Sequence, residues 1–350
     1  EDAIELYRRA TELDPNLGRA HSGWALSADK LGRKEEAAEA WKKALSLLDR
    51  MTEREKYRTL GVYYSRIARN YEKAIENNLA LVKAYPGDGA GHNNLAVAYF
   101  RTLDFPKAFE ASARALAIYP KKLLYRNNYA LYAMYASDFT TAATTARQIV
   151  AEVPTSTISY LPLAVAALDA GDRNAARAAY ERMAKTGGFG ESLSGAGLAD
   201  LALYEGRFAE AEPILKQGIA GDEVRKSTAN AAIKYVALAD AYAALGKTPL
   251  VLAALQSALK LSRDDAVRVP AARLFIRLGR ESDAGAIATQ LSEMLQAQSR
   301  AYGQIILGEI AASRHRANEA VEALVSSRKF ADLWLGRYAL GVVYVEAEHY

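Results

Sequence analysis

The chain has 350 residues, more than one compact domain usually holds, so a single hydrophobic core is not its natural reading. Its 45 basic and 41 acidic side chains leave a net charge of +4, with no Lys/Arg run long enough to track a phosphate backbone, which argues against nucleic acid as a partner. Hydrophobic residues make up 51% without any stretch of about 20 that spans a bilayer, and the absence of cysteine removes disulfides, thiol catalysis and thiolate metal ligands.

In chain order, Ala3, Tyr7 and Ala10, closed by Asp14-Pro15, read as a second helix with no first helix before it. Leu31-Gly32, Ala37, Trp41 and Ala44 make one repeat. Leu60-Gly61, Tyr64 and Ala74, closed by Pro86, make the next, with one extra residue in the turn near Asn70. Pro86, Pro120 and Pro154 then stand 34 residues apart. The two intervals superimpose: Asn93-Asn94 falls on Asn127-Asn128, Ala96 on Ala130, Asp104-Phe105 on Asp138-Phe139, and Ala108 on Ala142. A fixed period of this kind means stacked copies of one unit. Alanines such as Ala96, Ala108 and Ala115 suit close helix contacts. Pro120 ends a helix it cannot continue, while Pro106 and Pro249 sit at helix starts, preceded by Asp104 and Thr248 as caps.

Downstream come Gly171-Asp172, Gly206-Arg207-Phe208, Leu245-Gly246-Lys247, Leu278-Gly279 and Leu307-Gly308, with Ala176, Ala211, Ala258, Ala284 and Ala320 in the second helices. Turn-to-turn spacings after residue 171 are 35, 40, 33 and 36 residues. Pro162 and Pro270 are expected to shorten their first helices by about a turn, and Pro213 to kink a second helix. Leu340-Gly341 and Tyr344 read as a first helix, with Tyr350 at the turn after it. The reading is therefore all-α, nine whole repeats and a half repeat at each end. A regular array over 1–186 continues into an irregular one over 187–350. A hinge is expected near 187–197, where Gly187-Gly188-Phe189-Gly190 and Gly195-Ala196-Gly197 concentrate glycine. An array cut through a repeat leaves an apolar face in water, so the chain is expected to be part of a longer protein.

The pattern of a large residue, Leu-Gly or Leu-Ala and Tyr in a first helix, then Ala, a large residue and Ala before Pro, resembles the tetratricopeptide repeat. That resemblance implies a right-handed α-α superhelix whose first helices line a concave side that binds extended peptides. Arg54–Asp88 with Asn93-Asn94-Leu95, Gly308-Glu309-Ile310, and 332–337 (Asp-Leu-Trp-Leu-Gly-Arg) resemble arrays that follow Ser/Thr kinase or winged-helix domains in bacterial regulators. No Gly-rich nucleotide loop, His-Arg-Asp or Asp-Phe-Gly occurs here, so kinase chemistry would belong to residues outside this chain. Chaperone-binding relatives hold a carboxylate with Lys, Asn and Arg. Here Arg58 and Asn94 match two such places, but Val62, Leu124 and Asn128 depart from the pattern.

No active-site chemistry is readable. His21, His92, His315 and His349 lie too far apart for a two-His metal site, and His21 and His92 occupy the large-residue slot of their repeats. The glycines of 187–197 lack the Gly-Lys-Ser/Thr of a phosphate loop and read as an irregular connection. Glu35-Glu36 and Asp264-Asp265 read as helix-start charges. Tyr125, Tyr129, Tyr132 and Tyr135 recur at helical spacing, part core and part groove. Neither a catalytic residue nor a cofactor or metal site is expected.

The repeat frame places Arg58, Asn93, Asn94, Val97 and Arg101 inward, then Asn127, Asn128, Leu131 and Tyr135, then Asp169, Asp200 and Asp240, followed by Arg273 and Arg277. Asn offers a peptide backbone a donor and an acceptor, and Arg grips a carboxylate at two points. The groove would change sign along its length. The reading is a non-catalytic scaffold for a protein or peptide partner, with no nucleic acid or membrane, in the cytoplasm or alternatively the periplasm. It would serve as the docking or sensory part of a bacterial regulator. Alternatives are the regulatory segment of a Ser/Thr kinase, or a small-molecule sensor with a tyrosine-rich interior.

Overall fold

A chain of helices needs a reversal between each pair, and here the reversal is the same each time. Gly32, Arg69, Leu103, Ser137, Gly171, Gly206, Gly246, Gly279 and His315 all take positive φ between a first and a second helix. Most L residues avoid that region and glycine does not. The 35, 40, 33 and 36 spacings are the distances between these left-handed residues from Gly171 to His315.

The computed structural model describes residues 1–347, so the expectations for His349 and Tyr350 lie outside the described residues. Among the described residues there are twenty α-helices, two single-turn 3-10 helices and no strand. By their contacts the residues fall into two units, Glu1–Tyr132 and Ala133–Tyr350.

The first unit holds α1 (Asp2–Leu13), the hairpins α2 (Gly18–Lys30) with α3 (Lys34–Ser46), α4 (Glu53–Arg66) with α5 (Tyr71–Ala84), and α6 (Gly89–Arg101) with α7 (Phe105–Ile118), and most of α8 (Leu123–Tyr135). The second holds α9 (Phe139–Glu152) and the hairpins α10 (Tyr160–Asp169) with α11 (Arg173–Ala184), α12 (Gly188–Tyr204) with α13 (Phe208–Val224), and α14 (Thr228–Ala244) with α15 (Thr248–Leu261). It continues with α16 (Asp265–Arg277) and α17 (Glu281–Ser292), α18 (Ala297–Ser313) and α19 (Ala317–Ser327), and α20 (Trp334–Glu346). Even-numbered helices are first helices of a repeat and odd-numbered ones second helices.

Side chains fix many helix starts. Asp88, Asp104, Asp138 and Asp172 each accept a backbone N–H three residues on, and Thr52 with Glu55 forms a capping box. Thr248 departs from its expected role: Lys247 holds the cap position and Thr248 is the first helical residue. Alanines close the packing. Ala96, Ala108, Ala130 and Ala142, the four that superimpose in sequence, are all fully buried. In the second unit one apolar cluster runs from Ala199 to Val343, with Leu215, Leu255, Leu291, Ile305 and Leu324 sealed from solvent on successive elements. Each such side chain contributes about 1.5–3 kcal/mol.

A second device recurs where one repeat follows another. His21 Nε2 lies 3.0 Å from the Pro15 carbonyl and His92 Nε2 2.9 Å from that of Pro86, while Tyr160 donates its hydroxyl to Pro154 at 2.8 Å. The partner in each case is six residues back. A carbonyl only accepts, so both imidazoles carry their proton on Nε2.

Two expectations change. The glycine-rich stretch after Gly187 is not an irregular connection: only Gly187 is left-handed, and Gly188–Gly197 is helical. The glycines make room. Arg225 lies against Gly188 and Gly221, and the Lys234 stem crosses Gly218, where an added Cβ would stand 2.9 Å from Lys234 Cδ. Both cations reach the buried Asp222: Lys234 Nζ at 2.6 Å from Oδ2, and Arg225 at 3.0 Å from Oδ1. Ser192 accepts from Lys234 at 2.9 Å and donates to Asp222 at 3.2 Å. Pro162 does sit in a short helix of ten residues, but Pro270 sits inside a thirteen-residue one. Pro213 lies inside the seventeen residues of α13, the second helix where it was expected. The 40-residue spacing follows from the length of α13 and α14, seventeen residues each, with a left-handed Lys226 between them.

Candidate partner-binding faces

The first helices of each unit are joined to one another by polar side chains. In the first unit, Arg19 on α2 donates to Thr59 on α4 at 3.2 Å and to Ser22 at 3.0 Å. From α4, Arg54 Nε (3.0 Å) and Arg58 Nε (2.8 Å) both reach Asp88 Oδ2, while Asp88 Oδ1 caps α6 through the Gly91 N–H at 2.9 Å. Burial works to raise the Asp88 pKa, but the donors Arg58, Gly91 and Arg54 outweigh it and hold the carboxyl below its ordinary range. Asn128 on α8 donates to Asn93 on α6 at 2.7 Å.

These bonds decide what each expected groove residue has to offer. Arg58 is committed to Asp88, and Asn93 is buried with its carbonyl spent on Asn128. Asn94 is half-buried with no side-chain bond among the described residues, and Arg101 is exposed at the end of α6. Val97 and Asn127 are half-buried, and Leu131 packs beside Leu95 and Tyr132. Of the tyrosine run, Tyr125 and Tyr132 are core, Tyr129 meets Phe109 in a tilted ring pair at 5.0 Å, and Tyr135 is 40% exposed.

In the second unit, Asp169 ends α10 at the surface. Asp200 on α12 is exposed as a residue, yet desolvation of its carboxyl by the surrounding helices raises its pKa against the pull of Lys234. The helices α14, α16 and α18 bring Asp240, Arg273, Arg277 and Glu309 together around a recess of about 270 Å³. Arg277 pairs with Asp240 at 3.0 Å, and Arg273 Nε meets both oxygens of Glu309 at 3.0 and 3.1 Å. Desolvation raises the Glu309 pKa, and Arg273 recovers only part of that.

Arg19, Arg54 and Glu309 were not anticipated. Arg54 carries a readable signal, being one turn before Arg58 on the same helix face. Glu309 follows Arg273 by 36 residues, about one repeat, which is the register of a neighbouring first helix. Arg19 has no such sign. Among the described residues no three His, Asp or Glu side chains gather as metal ligands, and no helix is long and apolar enough to cross a membrane.

Residues 68–122 and 129–191 match the tetratricopeptide repeat family. Among solved structures, yeast Tom70 is similar at 15% identity, with a TM-score of 0.60 over 99% of this chain and 85% of that one. A human IFIT1 dimer solved with m7Gppp-AAAA is similar at 14% identity, with a TM-score of 0.52 over 99% of this chain and 86% of that one. A tetratricopeptide repeat protein from Parabacteroides merdae aligns at 14% identity over 83% of this chain and 98% of that one, with a TM-score of 0.46. No curated protein matches the sequence. Hairpins reversing at a left-handed residue, buried alanines at matched positions and the family match agree: residues 68–122 and 129–191 are tetratricopeptide repeats, and the same helical hairpin recurs on either side of them.

Proposed function

We propose that this chain is a protein-interaction scaffold that holds an extended segment of a partner along its first-helix faces, as the docking part of a larger bacterial regulatory protein. The observation carrying this reading is that polar side-chain bonds link one first helix to the next: Arg58 to Asp88, Asn128 to Asn93, Arg277 to Asp240 and Arg273 to Glu309. With those side chains held by one another, the half-buried Asn94 amide and the exposed Arg101 are left to meet a partner, which suits a peptide backbone better than a flat apolar surface. IFIT1 was solved with capped RNA. The near-balanced charge of the chain and its lack of a Lys/Arg run suit a peptide better than a phosphate backbone, so the peptide reading is preferred.

The test uses the whole chain as bait, compared with the triple variant Asn94→Ala, Arg101→Ala, Asn128→Ala. The expected outcome is at least about a tenfold loss of affinity for whatever partner the native chain captures. Undiminished capture by the triple variant would end the proposal.

A further inference from the structure

Between the second helices α13 and α15, with α14 supplying a third wall, lies a recess of about 430 Å³. Small-molecule sites occupy about 300–1,000 Å³. None of the expected groove residues lines it. Each wall is two helical turns long: Lys216 to Glu223 on α13, Tyr235 to Tyr242 on α14, and Leu250 to Ser257 on α15. Seven residues of helix span about 10 Å. Ile219, Leu238 and Ala254 at the base are buried, and Leu250 is 43% exposed.

The ends of the recess differ in charge. Beside Lys216, the carboxylate of Glu212 is shared: Lys216 Nζ lies 2.7 Å from Oε1, Lys247 Nζ 3.1 Å from Oε2, and the Tyr242 hydroxyl donates to Oε1 at 3.2 Å. Two ammonium groups on one acid leave that end positive. At the other end, Tyr235 donates its hydroxyl to Glu223 Oε1 at 3.0 Å, and among the described residues no cation pairs with Glu223. The aromatic faces differ in the same sense. Lys247 stands over the Tyr242 ring at 5.6 Å, whereas among the described residues no cation stands over Tyr235. Desolvation, and then Glu223, raises the Tyr235 pKa, so the phenol keeps the proton it donates. An apolar trough with an unpaired carboxylate and an open ring at one end, and excess positive charge at the other, is complementary to a molecule that is apolar along its body and cationic at one tip.

We infer that this recess binds a small amphipathic amine, its ammonium beside Glu223 and the Tyr235 ring and its apolar body along Leu238 and Ile219. The site uses none of Asn94, Arg101 and Asn128, so it stands independently of the scaffold reading above.

The test is isothermal titration calorimetry of the whole chain with octylamine, butylamine and octanoate. Octylamine, whose body matches the length of the recess, should bind with a stoichiometry near one and raise the melting temperature. Butylamine, four methylenes shorter, should bind at least about tenfold more weakly. Octanoate, with the same body and the opposite charge, should also bind at least about tenfold more weakly. Glu223→Gln should cost octylamine about tenfold in affinity. Because Glu223 is exposed and holds no cation among the described residues, that variant should melt with the native chain when no amine is present, which separates a binding role from a structural one. Ala253→Trp, at an exposed position on the α15 wall, should fill the recess and remove binding. No octylamine binding at about 1 mM, a stoichiometry far above one, octanoate binding as tightly as octylamine, or undiminished binding by either variant would each overturn the inference.

Discussion

Leu103 holds a conformation that its side chain resists. At φ 61° it does what glycine does at Gly171 and Gly206, and its side chain is 43% exposed, with little packing to lose. Leu103→Gly should therefore stabilise the first unit by up to about 1 kcal/mol, because relief of the left-handed strain exceeds the added entropy of the unfolded chain. The check is thermal or urea unfolding, where a lower midpoint would show that the leucine packs more than its exposure suggests. The same turn explains what the sequence discloses residue by residue. Where the turn residue is Gly32, Gly171, Gly206, Gly246 or Gly279 it announces itself. Where it is Arg69, Leu103, Ser137 or His315 only the spacing from a neighbouring turn gives it away. Asn93 shows the converse limit. Its place on a first helix was legible, but that a partner amide from α8 covers it depends on side-chain contact across 35 residues.

At the scale of elements, the contact between α12, α13 and α14 is the one least like its neighbours. At Ala96, Ala108, Ala130 and Ala142 small apolar residues separate the helices. Here Lys234, Asp222, Ser192 and Arg225 form a buried polar junction, and glycines give the long cations passage. Lys234→Met should cost about 3–5 kcal/mol, since the Asp222 carboxylate would keep only Arg225 and Ser192 as partners in a dry site. Pairing it with Asp222→Leu should recover much of the loss. Urea unfolding of the two variants measures this, and a double variant as unstable as the single one would refute the account. Sequence reading placed the helices but mistook this glycine run for a loop, because glycine signals a break and clearance for a large side chain with the same letter. The longer α13 and α14 were equally hidden, their extra turns carrying no cap or proline to mark them.

For the molecule as a whole, the charges that set its acid tolerance can be signed. Asp88, Asp222 and Glu212 have lowered pKa values. Glu212 is held at about 2 by Lys216 first, then Lys247, with Tyr242 adding to them. A carboxylate lowered by folding contributes stability that is present above its unfolded value and lost as pH falls through its folded one. Asp200 and Glu309 are raised by desolvation and act in the opposite sense, becoming less unfavourable as they take up protons above the ordinary carboxyl range. Melting temperature should therefore change little on going from neutral pH toward the ordinary glutamate value of 4.5, then fall steeply down to about 2. Glu212→Gln should flatten that lower limb when melts are compared across pH, and an unchanged limb would show that Glu212 is not among its causes.

The bond from a ring to a proline carbonyl six residues back has a wider consequence. Imidazole performs it at His21 and His92, phenol at Tyr160, and nothing else about those side chains need agree. What such a joint demands is a hydrogen on an atom of the right reach, and several letters of the alphabet supply that. Two arrays built on this principle can keep their joints while sharing few residues.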